Sequence, residues 1–444
     1  MSTIGSPLTN QLGSTTSTSG DDEADEILVL DAHKNASVVF LRTLAEENVT
    51  ITAGGWSRVS PGMFSRHVSR TFLYPNPYKY PVQFVTELIS HLETRDYLAV
   101  IPISDLSHVL LSKNKGRLEE TGTAVGTERW ERFTTANNKK SIAGLATDLS
   151  VPKPSTEAPE SLDDIPGMAR EFSYPVVIKP QYTTNKTADG AYVEARISEE
   201  NYVDHPDELA SNYRSLIEKY PYLAEDLPIV QEVVSGQIVA TAGLAEDGEF
   251  IEYFQEERLR MFPVDGGASA LRRGIRHPQM AAHAQKIVDE LDWTGPIYVE
   301  FIDSPEGNCY VLEVNGRYWG SVGCAIRGGV NVPVLHYRQL KGLDSPSDHG
   351  YRTGIKQRRL FYTDIRWLLA HLRDGNLGAV APFFVSFFNA DHDLLSRDDP
   401  LPAVGAVGWA VQELSRDKTT TDSSKREILN VPAKLFGLLR RLNE

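Results

Sequence analysis

Cysteine is nearly missing from this 444-residue sequence: Cys309 and Cys324 alone set aside a disulfide framework and a cysteine-based zinc site, and point to a reducing interior. No apolar run reaches the roughly 18 residues of a membrane-spanning helix, and the first residues lack the basic-then-apolar plan of a secretory signal. The expectation is a cytoplasmic protein with no membrane association. Positive charge is also short, with 45 Lys and Arg against 60 Asp and Glu and a formal net charge of -15. Non-specific nucleic-acid binding and polybasic membrane attachment both need a positive field, so the balance speaks against them. It leaves room for a nucleotide, because a local group of cations is screened from distant charge beyond about 8 Å at physiological salt. No GxGxxG turn follows the first strand-like run, which sets aside the usual dinucleotide fingerprint, and no repeat recurs at solenoid periods.

What is present is an ordinary globular composition, 41% apolar and 24% charged, on a chain long enough for two or three domains. Residues 1–25 are Ser, Thr, Gly and acidic, and are expected to form a flexible tail. Ile27-Leu28-Val29-Leu30 reads as a buried strand and Val38 to Glu46 as a helix. Phe84 to Leu92 is helical in spacing and Tyr97 to Pro102 is a second buried strand, so 26–130 predicts a parallel-sheet α/β domain. A helix from Asn138 to Leu149 ends before Pro152, Pro-rich 152–166 reads as connector, and strands alternate with helices near Glu208–Lys219 and Ala281–Leu291 up to Asp303. Beyond Leu343 the pattern is mixed and carries no chemistry; Ala433 to Leu442 predicts a short amphipathic helix with a basic face.

The most informative segment runs from Tyr298 to Arg317. Two β-rich runs flank Pro305-Glu306-Gly307-Asn308, a composition for a tight hairpin. A two-residue turn at Glu306 and Gly307 would set Pro305 opposite Asn308, Ile302 opposite Val311 and Glu300 opposite Glu313. Two carboxylates then share a face with Cβ atoms about 5 Å apart, and they repel unless a cation lies between them. The strand period adds Asn315 and Arg317 to that face. Hard oxygen donors of this kind suit Mg²⁺ or Mn²⁺ shared with phosphate, and an arginine suits a phosphoryl oxygen. Taken alone, the same residues also describe half-exposed strand glutamates balanced by Arg317.

The Leu312-Glu313-Val314-Asn315-Gly316-Arg317 segment resembles the metal-binding signature of the ATP-grasp superfamily, in its carbamoyl-phosphate-synthase-like, carboxylate-amine ligase branch. Other segments follow in the family's order. Tyr174 to Pro180 resembles the strand whose lysine, here Lys179, contacts the ATP phosphates; Val230 to Gly236 resembles the hinge strand beside adenine, with Glu232 at the hinge or ribose; Asn138-Lys139 is similar to the first ATP-contacting lysine. Without the resemblance, Lys179 reads more readily as a strand-end lysine in solvent and persuades only beside the hairpin, and Glu232 reads equally as a surface glutamate. A glycine-containing loop between Arg258, Arg260, Arg272 and Arg273 reads either as a cover for an anionic acyl phosphate, with Arg272 touching substrate, or as a surface loop. The sequence departs from the family after Lys179, where Gln181 to Ala191 holds only Gly190, and after Gly236, which is followed by Gln237-Ile238-Val239.

The resemblance covers about 130–342 strongly and 26–130 more loosely. It implies a pre-ATP-grasp parallel-sheet domain (26–130), an ATP-grasp domain of two α+β subdomains (131–342) and a C-terminal extension (343–444). It implies ATP with two Mg²⁺ or Mn²⁺ ions held by Glu300, Glu313 and Asn315, triphosphate contacts from Lys139 and Lys179, and Arg317 steadying the transferred phosphoryl group. The implied partners are a small-molecule carboxylate and an amine, with no nucleic acid and no membrane, and a homodimer left open. The alternatives are an ATP-dependent small-molecule kinase and a nucleotide-binding protein without turnover.

Overall fold

The computed structural model describes residues 24–195, 197–263, 267–345 and 350–417; the expected tail before Ala24 and the basic helix at Ala433–Leu442 lie outside them. Ile27, Leu28 and Val29 are at most 1% exposed, as a strand covered on both faces requires. They lie in β1 (Asp25–Val29), the centre of a parallel sheet with β2 (Val49–Gly55), β3 (Arg70–Leu73), β4 (Tyr97–Ile101) and β5 (Ala124–Val125), in the order β3-β2-β1-β4-β5. The expected helices are present as Asn35–Leu44 and Pro81–Leu92. After β4 the chain enters a helix at Asp105, at the carboxyl edge of the sheet, where α/β folds tend to present functional side chains.

The helix Lys139–Asp148 starts where Asn138 accepts a hydrogen bond from the Ser141 amide at 2.9 Å. The Lys139 amide donates to the Gln181 carbonyl at 3.0 Å, which pins this helix end to the next sheet. The Pro-rich connector carries a short strand that its composition hid, β6 (Thr156–Glu157). It is followed by β7 (Val176–Lys179), a hairpin of β8 (Thr184–Lys186) and β9 (Tyr192–Glu194), then β10 (Tyr202–Val203) and β11 (Ile229–Glu232). The small antiparallel sheet runs β10-β7-β11-β6. Val176, Ile178 and Val230 turn one face of it to Leu209, Tyr213 and Leu216 of the helix Pro206–Lys219. The other face, with Lys179 and Gln231, is left for the cleft. The β8–β9 hairpin occupies the stretch expected to cover phosphates, and leans on the N-terminal region through Tyr192 N–H to the Tyr78 carbonyl at 2.8 Å.

The largest sheet consists of β12 (Gln237–Glu246), β13 (Glu249–Phe262), β14 (Ala268–Ile275), β15 (Gly295–Asp303), β16 (Cys309–Asn315), β17 (Lys356–Arg358) and β18 (Asp391–His392), in the order β16-β15-β12-β13-β14-β17-β18. Its two faces have different chemistry. Val239, Val299, Phe301 and Val311 pack against Met280, Ala284 and Ile287 of the helix Pro278–Glu290. On the opposite face Ala240, Ala242, Phe254 and Tyr298 join one core cluster with Phe40 and Leu41 of the N-terminal region. The segment after Leu343 adds β17 and β18 to this sheet. It also adds a helix, Leu401–Asp417, whose Gln412 accepts from Ser57 Oγ at 2.5 Å and whose Trp409 stacks on His33 at 4.9 Å between centroids.

Glu300 pairs with Glu313 as expected, but the pairing toward the hairpin tip is corrected: Ile302 faces Tyr310 and Asp303 faces Cys309. The turn is one residue longer than expected. Ser304 N–H bonds the Asn308 carbonyl at 2.9 Å, so Pro305-Glu306-Gly307 forms the connection, with Gly307 at φ 85°. A three-residue hairpin loop requires a left-handed residue at that place, and glycine supplies it without steric cost. The register shifts back between Glu300 and Phe301, where Leu312 is the extra residue of a bulge in β16. Two one-residue errors thus cancel before the acids are reached.

Candidate active site

Across the inner face of the large sheet the register sets Glu313, Glu300, Ala240 and Glu256 in one row over β16, β15, β12 and β13. Glu300 is 7% and Glu256 2% exposed. Each hairpin acid meets a cation from another element: Lys139 Nζ lies 3.2 Å from Glu313 Oε2, and Arg258 forms an ion pair with Glu300. Burial raises the Glu300 carboxyl above its ordinary range and Glu313 adds to this, while Arg258 pulls the other way. At Glu313 burial works in the same upward direction, but Lys139, Asn315 and Lys179 outweigh it and hold the carboxyl at about 2. The pair is therefore split electrostatically, with Glu313 the firmly ionised member.

Asn315 Nδ2 donates to Glu313 Oε1 at 3.0 Å, and Arg317 Nη2 donates to Asn315 Oδ1 at 3.2 Å. Arg317 reaches this face by a different route from the one expected. β16 ends at Asn315, the chain turns, and Arg317 Nε donates to Asp105 at the carboxyl edge of the parallel sheet. On the small sheet, Lys179 Nζ donates to Gln231 Oε1 at 2.6 Å and Gln231 Nε2 to Thr156 Oγ1 at 2.9 Å. Burial brings the Lys179 ammonium down to about 8, against the opposing pull of Glu313.

Lys139, Lys179, Glu300, Glu313, Asn315 and Arg317 thus converge. Glu232 does not join them: it follows Gln231 on the strand, and its carboxylate accepts from the Ser173 amide at 2.6 Å. Arg272 stands opposite Arg258 on β14, is 1% exposed, and donates from Nη2 to the Ser269 carbonyl at 3.1 Å. The four arginines that flank the glycine-containing loop lie on the paired strands β13 and β14. Arg260 binds Asp364 at 3.1 Å and Arg273 binds Glu257 at 2.5 Å, so both are spent on structural ion pairs, while Gly266 lies outside the described residues. Sequence reasoning missed Asp105, Gln231 and Glu256. Gln231 was open to detection, since it shares its strand face with the residue opposite Lys179.

Among the described residues no group of three or more His, Cys, Asp or Glu side chains surrounds a metal position. The donor set at the hairpin, two facing carboxylates and an amide, is incomplete as a cage but fits a hard divalent ion that keeps waters and shares phosphate oxygens. A cavity of about 250 Å³ adjoins this point, lined in part by Asp105, Lys113, Trp130, Asn137, Tyr182 and Tyr192. Asp105 binds Arg317, and Asn137 accepts from the Gly316 amide at 3.3 Å, so the cavity opens beside the hairpin's end.

No family model matches the sequence. The large chain of carbamoyl phosphate synthase from Saccharolobus solfataricus is 23% identical over 288 residues, which is 62% of this chain and 26% of that protein, so this chain spans about a quarter of the relative's length. Among solved structures, biotin carboxylase from Campylobacter jejuni, crystallised as a β-γ-ATP complex, superposes with a TM-score of 0.59 at 13% identity, over 75% of this chain and 74% of that one. The biotin carboxylase domain of Hydrogenobacter thermophilus 2-oxoglutarate carboxylase, in complex with MgADP and bicarbonate, gives 0.57 at 15%, over 75% and 73%. The L-amino acid ligase from Bacillus licheniformis gives 0.54 at 14%, over 72% and 75%.

Proposed function

We propose that this chain, a protein of the ATP-grasp fold, is an ATP-dependent ligase that activates a small-molecule carboxylate as an acyl phosphate for attack by an amine. The observation that carries this reading is the Glu300–Glu313 pair, set face to face with Glu300 buried and Glu313 half-buried, and ringed by Lys139, Lys179 and Arg317. Binding adenine alone needs none of these charges. Glu300, Glu313 and Asn315 would hold two Mg²⁺ or Mn²⁺ ions, which when bound neutralise charge on the β- and γ-phosphate oxygens.

The chain's own residues do the remaining work. Lys139 and Lys179 place positive charge along the triphosphate. The acid substrate's carboxylate attacks the γ-phosphorus, the bond to the bridging oxygen breaks, and ADP leaves. Arg317, held by Asp105 and Asn315, steadies the transferred phosphoryl group. The amine then adds at the acyl carbon, phosphate departs, and the amine's surplus proton goes to solvent. Arg272, whose Nε makes no hydrogen bond among the described residues, is assigned to the acid substrate's negative charge.

ADP release with Mg²⁺, screened across pairs of carboxylates and amines, tests the reading. The expected result is ADP formation that requires both partners, with hydroxylamine trapping an acyl hydroxamate when the amine is left out. ADP formed with an acid or alcohol alone, together with a stable phosphorylated product, would make the chain a kinase.

A further inference from the structure

Glu256 has no part in the reaction as described, yet it is a third acid on the catalytic face and is almost wholly buried. Its Oε1 accepts from Ser321 Oγ, while its Oε2 accepts no hydrogen bond among the described residues. Buried carboxylate oxygens are seldom left this way, and a cation is the usual remedy. Burial pushes the Glu256 carboxyl up, and Arg272 and, less strongly, Arg258 pull it back; Arg258 lies two residues along the same strand. Its Nη2 is nevertheless turned across β12 to Glu300 and Tyr298, with Nη1 toward the Gly267 carbonyl at 3.4 Å. Between the two acids β12 presents only Ala240, which stands opposite both, so no large side chain separates them.

An arginine on Glu300 and a divalent ion on Glu300 are mutually repulsive, since like charges a few ångströms apart oppose one another strongly where water does not screen them. We propose that Arg258 is a two-position side chain, paired with Glu300 when the site holds no metal nucleotide and transferred to the open oxygen of Glu256 when the ion arrives. Arg258 is in this role a positioning residue: it keeps the hairpin acids folded face to face while they are bare, and Glu256 receives it when they are filled. The inference rests on the proposed metal-nucleotide site.

The test is Mn²⁺ binding in the presence of ADP, read by electron paramagnetic resonance of free Mn²⁺ on the full chain. Arg258→Gln removes the competitor, and Mn²⁺ with ADP binds about tenfold tighter, as loss of one charge-assisted bond implies. Glu256→Gln removes the receiving acid, and binding weakens by about the same factor. In the Arg258→Gln background, Glu256→Gln changes nothing, because the two residues act through one another. Unchanged or weaker binding in Arg258→Gln, or a Glu256→Gln effect that persists without the arginine, overturns the proposal. Should Arg258→Gln fail to fold by circular dichroism, Arg258→Lys with and without Glu256→Gln decides it, since a lysine still competes for Glu300. If the wild-type chain binds no Mn²⁺ with ADP, or Glu313→Gln leaves that binding intact, the site assignment itself fails; a normal response to Glu313→Gln with no response at Arg258 sinks only the switch.

Discussion

The β15–β16 hairpin and the β7–β11 pair are both short antiparallel ribbons carrying charge into the same cleft, yet they manage that charge in opposite ways. In the hairpin, register puts like charges face to face, and cations from a distant helix and a third strand, Lys139 and Arg258, offset them. On β7–β11 the charged Lys179 stands opposite Ile229 and is answered by a neutral amide, Gln231. The first arrangement keeps Glu313 ionised down to about pH 2, whereas the second lets Lys179 lose its proton near pH 8. Glu313 is thus held firmly ionised, and Lys179 is poised.

The contrast can be broken most forcefully at the acids. Glu313→Gln should leave the fold intact by circular dichroism and lower the rate of ADP release by a hundredfold or more, an estimate in line with losses at metal-supporting residues. An unchanged rate removes the hairpin from the chemistry. A smaller effect belongs to the basic half: Lys179→Met should weaken ATP binding by about tenfold to a hundredfold in calorimetric titration, the worth of one buried charge-assisted contact to phosphate.

The same lysine carries a pH signature. Its native pKa near 8 lies below the ordinary 10.5, so between those values the unfolded chain binds the extra proton and stability rises with pH. Urea denaturation of the wild type without nucleotide should show this contribution, on the order of 3 kcal/mol across that window, and Lys179→Met should lack it. The smallest effect is expected at Glu232, on the face turned from Lys179. Glu232→Gln should cost roughly 1 kcal/mol of stability through the Ser173 amide and change the ATP KM by no more than about threefold. A tenfold rise in that KM would make the Glu232 carboxylate a nucleotide contact, the hinge or ribose role that the family resemblance implies.

The apolar elements were legible because a strand buried on both faces leaves an unbroken apolar run and an element buried on one face leaves a periodic one. Ile27–Val29, Tyr97–Ile101 and Val176–Ile178 all appear as strands where the sequence suggested them, and the acids meet as the hairpin reading expected, whereas Lys139 was named through the family resemblance. The parts that escaped depend on partners far along the chain. Lys356-Gln357-Arg358 lies in the stretch where the sequence pattern is mixed, yet Arg358 is wholly buried and ion-paired with Asp364. Arg258 and Arg260, two apart on one strand, resemble each other in sequence, and only tertiary packing sends one to Glu300 and the other to Asp364. Turn length was misjudged because Glu306-Gly307 suits a two-residue turn as well as the last positions of a three-residue one.

The extra residue at Leu312 acts as a slip joint in the hairpin. Because the strand slides back into step before Glu313, the tip from Pro305 to Asn308 can gain or lose length without rotating the acids away from each other. The acids are indexed from the open end of the ribbon, where Asn315 faces Tyr298, and the tip is left free to vary with whatever lies above it.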